Sequence, residues 1–289
     1  AVSYRAIRLA NQENFGQAII PSYDFSKAKT IVSVGADFLG TWLMSNVYQT
    51  QYGSTRNPDY NWMSKHFQFE SFMSISGTNA DYRGMVKPSE EANVLSYLIK
   101  GLGGAVSQSS YLPKQAKDVA DKALTALKAS KGESLIVSGS NNKSIQLLTN
   151  KLNNLLGSYG VTIDMTKPIH LFEGDDVKVS TLVKNVIAGQ GPDTLIISGV
   201  NPVYSLPTGK QFGDAIAKLK NTICVSTHMD ETASKCKIVC AESHALESWS
   251  DYNPIGSHYA LAQPTIRPLF DTSSLLENLL VSVSYTHLT

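Results

Sequence analysis

A glycine, one further residue and an Asp or Asn follow each of three short apolar runs in the sequence. These tripeptides are Gly35–Asp37, Gly139–Asn141 and Gly199–Asn201. Glycine permits a tight turn, and Asp or Asn is a favoured N-cap of a helix, whose free N–H groups suit a phosphate. The pattern fits two interpretations: a cradle for a nucleotide or dinucleotide, or ordinary turns between a strand and a helix. Neither G-x-G-x-x-G nor G-x-x-x-x-G-K-[ST] occurs, so the residues alone leave both interpretations open.

A second polar segment, Thr227–Glu231, follows a further apolar run at Ile223–Ser226. Asp230 is suited to cap the next helix, and Glu231 would then lie in its first turn, where the helix dipole favours an acid. The alternative is a metal site in which His228 ligates beside one of these carboxylates. Of the two, capping is the interpretation that we favour.

The remaining candidates for metal or nucleophilic chemistry lack a supporting pattern. His244 and Glu247 could join His258 in a two-His-one-carboxylate site, but no H-E-x-x-H is present. The three cysteines show no C-x-x-C spacing and are interpreted as buried apolar side chains. No G-x-S-x-G motif supports a Ser-His-Asp triad. We expect an ion pair between Asp81 and Arg83 across a serine-rich turn, and neither a metal ligand nor a catalytic residue.

The elements that must position these residues are predicted as alternating strands and helices. The runs Thr30–Val34, Ser134–Ser138 and Thr194–Ser198 lack polar alternation and are rich in β-branched residues, which predicts strands buried on both faces. Apolar residues recur at helical spacing between them. The alternation predicts an α/β fold with parallel sheets. We place two units at residues 1–108 and 109–280, with the Gly- and Ser-rich stretch Gly101–Pro113 as the boundary.

Composition excludes several classes of function. The 289 residues carry a formal net charge of +1, and no long basic run provides a local field for nucleic acid. Apolar residues make up 42%, which excludes a disordered chain. No run of about 18 apolar residues occurs, so we expect no direct membrane insertion. The first residues predict a helix already under way, and residues 283–289 are expected to be a non-native tail, so we expect the natural chain to be longer at both ends.

Eight longer strings are distributed over the chain up to about Leu269. They are Pro21–Ala28, Gly35–Trp42, Phe69–Ser74, Gly77–Arg83, Gly199–Tyr204, Met229–Ser234, His244–Trp249 and Ala262–Pro268. Together they resemble the molybdopterin-oxidoreductase-like superfamily. More closely, they resemble the large iron–sulfur (molybdopterin-like) subunit of bacterial alternative complex III, a quinol:electron-acceptor oxidoreductase. Ala36–Trp42 and Leu246–Trp249 are the narrowest of these strings, whereas the Gly-Val-Asn-Pro turn is general to the superfamily.

The resemblance implies two Rossmann-like parallel-sheet units of the formate dehydrogenase/DMSO reductase type. In relatives that are molybdenum enzymes, each unit holds one guanine dinucleotide arm of the cofactor. In the alternative complex III branch the molybdenum cofactor is absent, and the same positions would be vestigial. The positions of this sequence that match are Gly35, Asp37, Gly199, Asn201, Pro202, Thr227, Asp230 and Glu231.

The resemblance also implies partners and a location. A ferredoxin-like half carries [4Fe–4S] and [3Fe–4S] clusters in the family, but its cysteine runs are missing here. We therefore expect no cofactor in this chain, and clusters in polypeptide beyond it. The implied partners are membrane quinol-oxidising subunits and cytochrome c subunits, which would hold the protein at the periplasmic face of the bacterial inner membrane.

The expected function is thus a region without a catalytic site that scaffolds electron transfer in a respiratory quinol oxidoreductase. The first alternative is an active molybdopterin oxidoreductase that binds the bis-guanine-dinucleotide cofactor. The second is a small nucleotide-binding α/β protein.

Overall fold

The structure, a computed structural model, describes residues 3–256 and 258–283. They form two compact units: residues 3–174 with 254–256 and 258 form the first, and the rest of the described chain forms the second. Residues 284–289, most of the expected non-native tail, lie outside the described residues.

The first unit is built on a four-stranded parallel sheet. The unit as a whole contains six strands: β1 (Ile20–Tyr23), β2 (Thr30–Val34), β3 (Lys65–Glu70), β4 (Tyr82–Met85), β5 (Ser134–Ser138) and β6 (Ile163–Ile169). The parallel sheet has the order β4-β3-β2-β5, while β1 pairs antiparallel with β6. Strands β2 and β5 are buried at every residue, as their β-branched composition predicts.

Helices cover both faces of this sheet. They are α1 (Arg5–Phe15), α2 (Ser45–Ser54), α3 (Ile75–Thr78), α4 (Glu91–Gly101), α5 (Lys114–Ala129) and α6 (Lys143–Leu156). One apolar cluster lies between the sheet and α4, α5 and α6, and a second, rich in aromatic rings, lies on the side of β1, β6 and α2. The predicted N-terminal helix is confirmed, and it ends at Gly16 in the left-handed conformation.

The compact units differ from the division that we placed at residue 108. Strand β5 pairs with β2 along its full length, from Thr30 against Ser134 to Val34 against Ser138. That pairing joins segments from both sides of the expected boundary in a single sheet. The stretch Gly101–Pro113 therefore holds the end of α4 and the loop of residues 102–113 that leads to α5 within the first unit, and the division falls after Gly174 instead.

The second unit contains a three-stranded parallel sheet of order β7-β8-β9. The strands are β7 (Thr194–Ser198), β8 (Asn221–Ser226), β9 (Ile238–Ala241), β10 (Ser250–Ile255) and β11 (His258–Ala262), and the helices are α7 (Asp176–Ile187), α8 (Pro202–Ser205), α9 (Gly209–Ile216) and α10 (Leu275–Val283). The end of β10 belongs to the first unit, where Ile255 pairs with Ile169.

Strand β7 is not buried on both faces, contrary to the prediction. It is an edge strand, and Ile196 on it is 46% exposed. Its neighbour Ile197 packs with Val183 of α7 and Phe212 of α9, which cover the opposite face. Across the described residues, no helix combines the length and the apolar character needed to cross a membrane.

Candidate functional site

The sheet order places two of the glycine turns side by side. In the order β4-β3-β2-β5, the chain leaves β2 toward one side of the sheet and reaches β5 on the other. The carboxyl ends of β2 and β5 therefore form a topological switch point, where open α/β sheets bind their ligands. Gly35 and Gly139 lie at that point, so the sequence motif and the topology indicate the same candidate site.

At the first of these turns, a carboxyl group of the protein stands above the glycine. Gly35 has φ +65° and donates its N–H to the Phe69 carbonyl at 2.8 Å. Glu91, at the start of α4, holds Oε1 2.9 Å from the place where a Cβ of residue 35 would lie. Burial raises the pKa of the Glu91 carboxyl to about 7. Among the described residues Glu91 has no hydrogen-bond or ion-pair partner, so a phosphate approaching Gly35 would meet this acid.

Asp37 does not cap a helix that follows its own turn, which corrects the expectation for this residue. The next helix, α2, begins only at Ser45. The Asp37 carboxylate instead accepts hydrogen bonds from the backbone N–H and the hydroxyl of Ser76, each at 2.9 Å. Its oxygens also occupy the space beside Gly40, where a Cβ would overlap them. The side chain thus joins its own turn to α3 and is committed within the protein.

The turn after β5 is also filled from within. A Cβ on Gly139 would overlap the carbonyl oxygen of Gly35, so the two turns touch through their backbones. Asn141 accepts a hydrogen bond from the Ala6 N–H at 3.0 Å and so caps α1, a helix distant in sequence. The cap of α6 is the next residue, Asn142, which corrects the expectation for Asn141.

The sequence analysis missed a row of buried, hydrogen-bonded polar side chains on β3, which is called the buried polar ladder. His66, Gln68 and Glu70 alternate along the strand and are at most 2% exposed. His66 Nε2 lies 3.1 Å from Gln68 Oε1, and the Gln68 amide donates to Glu70 Oε2 at 3.0 Å. Burial lowers the pKa of His66 to about 4, so the ring is neutral near pH 7. The alternation of polar residues in Lys65–Glu70 was the available signal, but it is typical of a half-exposed strand.

Glu70 ends this ladder in an ion pair with Arg83. Arg83 Nε lies 2.7 Å from Glu70 Oε1, and the Ser74 hydroxyl donates to Glu70 Oε2 at 2.6 Å. Burial by itself would raise the pKa of Glu70, but the hydrogen bonds from Arg83 and Ser74 outweigh it and lower the pKa. The expected pair of Asp81 with Arg83 is therefore wrong. Asp81, which precedes β4, pairs instead with Arg56 at 2.8 Å, while Arg83 lies on β4 and reaches Glu70 of the neighbouring strand β3.

The strand-end turn of the second unit is more open. Gly199 has φ +67°, and no atom lies within 4 Å of the place where its Cβ would be. Asn201 caps α8 by accepting from the Tyr204 N–H at 3.3 Å, and Pro202 occupies the first helical position, as predicted. Val200 is 63% exposed between them. This turn keeps free space where the first unit places its own groups.

Residues after β8 meet the Asn201 side chain. Its amide donates to Glu231 Oε2 at 2.7 Å, and its Oδ1 accepts from the Thr232 hydroxyl at 2.7 Å. The hydrogen bond from Asn201 lowers the pKa of Glu231, whose carboxylate is exposed. Asp230 accepts from the Ala233 N–H at 2.8 Å. The element that follows is only the short 3-10 helix Ala233–Lys235, whose N-cap is Thr232, so Asp230 and Glu231 do not take the expected cap and first-turn positions. Thr227 lies apart, with its hydroxyl 2.7 Å from His228 Nδ1.

The metal alternatives gain no support from the geometry. Within residues 3–256 and 258–283, no group of three or more His, Cys, Asp and Glu side chains lies close enough together to hold a metal ion. The His228 ring contacts Thr227 rather than a carboxylate. The backbone N–H of His244, not its ring, donates to the Glu247 carboxylate at 3.0 Å. Cys224 is buried, while Cys236 and Cys240 are half-buried rather than fully enclosed.

The candidate residues of the second unit fit a guanine dinucleotide, whereas those of the first unit do not. In the second unit, an exposed Glu231 carboxylate beside an open glycine turn offers acceptors for the N–H groups of a purine base. In the first unit, Asp37 is committed to Ser76, and Glu91 stands where an anion would approach Gly35. The first set does not fit an anionic group.

Comparison with known proteins agrees with this architecture. No family model matches the chain. The chain is 26% identical, over 86% of its length, to the menaquinone reductase molybdopterin-binding-like subunit of Nitratidesulfovibrio vulgaris. It covers 42% of that relative, so the chain spans less than half the length of the curated protein it matches.

Two solved structures share the fold at low sequence identity. Acetylene hydratase from Pelobacter acetylenicus superposes with a TM-score of 0.66 at 10% identity, over 96% of this chain and 49% of that one. The formyltransferase/hydrolase complex from Methylorubrum extorquens matches with a TM-score of 0.54 at 10% identity, over 94% of this chain and 79% of that one. The chain has the molybdopterin-oxidoreductase fold. The similarity to a molybdopterin-binding-like subunit agrees with the molybdopterin-oxidoreductase-like resemblance stated from the sequence.

Proposed function

We propose that this chain is part of the large molybdopterin-like subunit of a quinone-linked respiratory oxidoreductase of the alternative complex III type. The observation that carries the proposal is its similarity to the menaquinone reductase subunit over 86% of the chain. Its role is to scaffold electron transfer from quinol toward a cytochrome, through [4Fe–4S] and [3Fe–4S] clusters in polypeptide beyond this chain. Its partners are the membrane quinol-oxidising and cytochrome c subunits, at the periplasmic face of the inner membrane.

Surface composition supports a scaffolding role. Large apolar side chains of the second unit are well exposed, among them Trp249 at 65%, Leu261 at 78% and Phe270 at 79%. Exposed apolar groups in such number are typical of surfaces that other polypeptides cover. The filled switch point of the first unit also supports a domain that does not hold a complete dinucleotide cofactor.

One observation favours the alternative, an active molybdopterin oxidoreductase. The turn at Gly199 is open, and Asn201 orients the exposed Glu231 carboxylate beside it. If a guanine dinucleotide is bound, Glu231 would accept hydrogen bonds from its base, and Thr227 and Asp230 would lie on the neighbouring strand end. The cofactor would then supply the redox chemistry, and these residues would bind and orient it.

The test is the metal content of the native complex. The intact gene product is purified from its membrane, and iron and molybdenum per polypeptide are determined by elemental mass spectrometry. Several iron atoms without molybdenum or tungsten, together with co-purifying membrane and cytochrome subunits, are expected. About one molybdenum or tungsten atom per chain would overturn the proposal in favour of the alternative.

A further inference from the structure

A groove between α1 and α6 takes no part in the candidate site described above. Glu13, Asn14 and Phe15 at the end of α1 line one side of it, and Asn150 and Asn154 of α6 line the other. The space measures about 490 Å³, within the range of roughly 300–1,000 Å³ that small-molecule sites occupy. Its wall combines side-chain amides with apolar groups, and it is called the α1–α6 groove.

Hydrogen bonds within the protein fix the amide of Asn150. Its Nδ2 donates to Asn11 Oδ1 at 2.8 Å and to Asn14 Oδ1 at 3.1 Å, which uses both N–H groups. Asn11 is oriented in turn, because its own amide donates to the Ile19 carbonyl at 2.9 Å. Asn150 is 9% exposed, and no described residue donates to its Oδ1. The groove wall therefore carries a fixed oxygen that can only accept a hydrogen bond.

The side chains beside this oxygen supply donors. Asn14 accepts through its Oδ1, so its side-chain N–H groups are left to donate, and within the described residues they have no partner. The Asn154 side-chain amide is exposed and likewise bonds to no described residue. A hydroxyl donates and accepts at once. Adjacent hydroxyls of one ligand would therefore donate to Asn150 and accept from Asn14 or Asn154.

The charged groups of the groove already have partners, which favours an uncharged ligand. The Glu13 carboxylate forms an ion pair with Lys143. The Lys151 ammonium, which also lines the groove, donates to the Ala105 carbonyl at 2.5 Å. One acid and one base thus give the wall no net charge, and a charged ligand would have to displace one of these partners to find a counter-charge.

The apolar part of the wall suits one face of a sugar ring. The Phe15 ring is 37% exposed and packs on Tyr159, with ring centroids 4.8 Å apart. Leu147 and Leu148 are half-buried and also line the groove. A pyranose carries C–H groups on its faces and hydroxyls around its edge. Its face can therefore pack on the phenyl ring and the alkyl groups while its hydroxyls reach the amides.

Another asparagine of α6 shows why a peptide main chain fits less well. Asn153 binds β5 at two points: its Oδ1 accepts from the Ile136 N–H at 3.0 Å, and its amide donates to the Ile136 carbonyl at 2.8 Å. Asn150 cannot bind a peptide unit in this way, since both of its N–H groups are used within the protein. A hydroxyl needs only the free oxygen.

We propose that the α1–α6 groove binds an uncharged saccharide. Asn150 accepts a hydrogen bond from one hydroxyl, and Asn14 and Asn154 donate to its neighbours. Phe15 packs against the face of the sugar ring. The inference is independent of the proposed function, because it uses neither the strand-end turns nor any partner subunit.

NMR titration of the 289-residue chain tests the proposal. The probes are the uncharged disaccharides maltose, cellobiose and lactose, with glucuronate as an anionic sugar and N-acetyl-trialanine amide as a peptide. At least one disaccharide is expected to shift the side-chain amide resonances of Asn14, Asn150 and Asn154 and to saturate, with a dissociation constant of about 1 mM. Absence of saturable shifts with all the disaccharides, or tighter binding of glucuronate or the peptide, would overturn the proposal.

Matched variants tie the binding to the groove. Asn154→Ala removes an amide that makes no hydrogen bond to a described residue, so we expect the dissociation constant to rise about fivefold while the melting temperature changes by less than about 1 °C. Asn185→Ala, on an exposed residue of α7, should leave both quantities unchanged. Phe15→Leu is expected to weaken binding as well, because it removes the ring. Equal effects of Asn154→Ala and Asn185→Ala on the affinity would place the saccharide elsewhere and contradict the proposal.

Discussion

The strand-end turns of the two units have nearly the same sequence and opposite surroundings. Gly35–Asp37 is enclosed by Glu91 and Ser76, which the protein supplies from distant elements. At Gly199–Asn201 the Asn caps its own helix and the glycine faces open space. A Gly-x-Asp/Asn motif after a strand thus encodes a tight turn, and the packing around it decides whether a ligand has room. The predictions below test this contrast, from the largest expected effect to the smallest.

The largest expected effect comes from replacing glycine by alanine at the closed turn of the first unit and at the open turn of the second. Gly139→Ala would overlap the Gly35 carbonyl oxygen, which is backbone and cannot move cheaply, so we expect a loss of about 3–4 kcal/mol in the free energy of unfolding. Gly199→Ala meets no atom and should cost only about 1–2 kcal/mol for its positive φ. Denaturant unfolding, monitored by hydrogen exchange of the backbone amides of β5 and β7, measures the loss of unfolding free energy in both variants. Equal costs would erase the distinction between a closed and an open turn.

Removal of the cation beside Glu70 should rank next. Arg83→Ala leaves a carboxylate that is 2% exposed without its ionic partner, and we expect a loss of about 3 kcal/mol. The control is Lys117→Ala, which breaks an exposed pair with Asp121 at 3.8 Å and should cost less than about 0.5 kcal/mol. Urea unfolding of each variant provides the values. A similar cost for both variants would mean that the buried pair of Arg83 with Glu70 adds nothing to the stability of the first unit.

The acid above Gly35 should make the first unit sensitive to pH. The pKa of Glu91 is about 7 in the folded chain and 4.5 in an ordinary carboxyl, so the folded state holds its proton more tightly. The associated stability is fully present below pH 4.5 and is lost as the pH rises through 7. Because the group is partly in water, the loss is discounted to about 1 kcal/mol.

Glu91→Gln keeps the shape and removes the titration. We expect the drop in melting temperature between pH 5.5 and 8.5 to be smaller in this variant than in the parent chain, with Asp118→Asn as the exposed control. An unchanged drop would show that Glu91 is not held in an apolar environment above Gly35.

The smallest effect is expected in the second unit. Asn201→Ala removes the hydrogen bond that lowers the pKa of Glu231, so this pKa should rise toward that of an ordinary carboxyl. Side-chain carboxyl resonances followed by NMR through the titration report the change. Tyr204→Phe, which changes an exposed side chain next to the same turn, should leave the pKa of Glu231 unchanged. A Glu231 pKa that is insensitive to Asn201 would mean that the amide does not orient the carboxylate.

Local sequence determined the elements and their turns. Unbroken β-branched runs predicted β2 and β5, the helical spacing predicted α5 and α7, and the Asn-Pro pair predicted the start of α8. These predictions hold because strand propensity, helix periodicity and capping depend on neighbours within a few positions. The longer strings also indicated an α/β fold with parallel sheets, which the structure and its likeness to acetylene hydratase show.

Only the tertiary structure decided which side chains meet. It brought Glu91 to Gly35, Asn141 to the N-terminus of α1, and Arg83 to Glu70 rather than to Asp81. It also placed the division between units after residue 174, because β5 returns to pair with β2. Each of these contacts joins residues that are distant in sequence or lie on different strands, so it depends on the order of the strands. No local spacing contains that order, because it follows from how all the apolar faces are buried together.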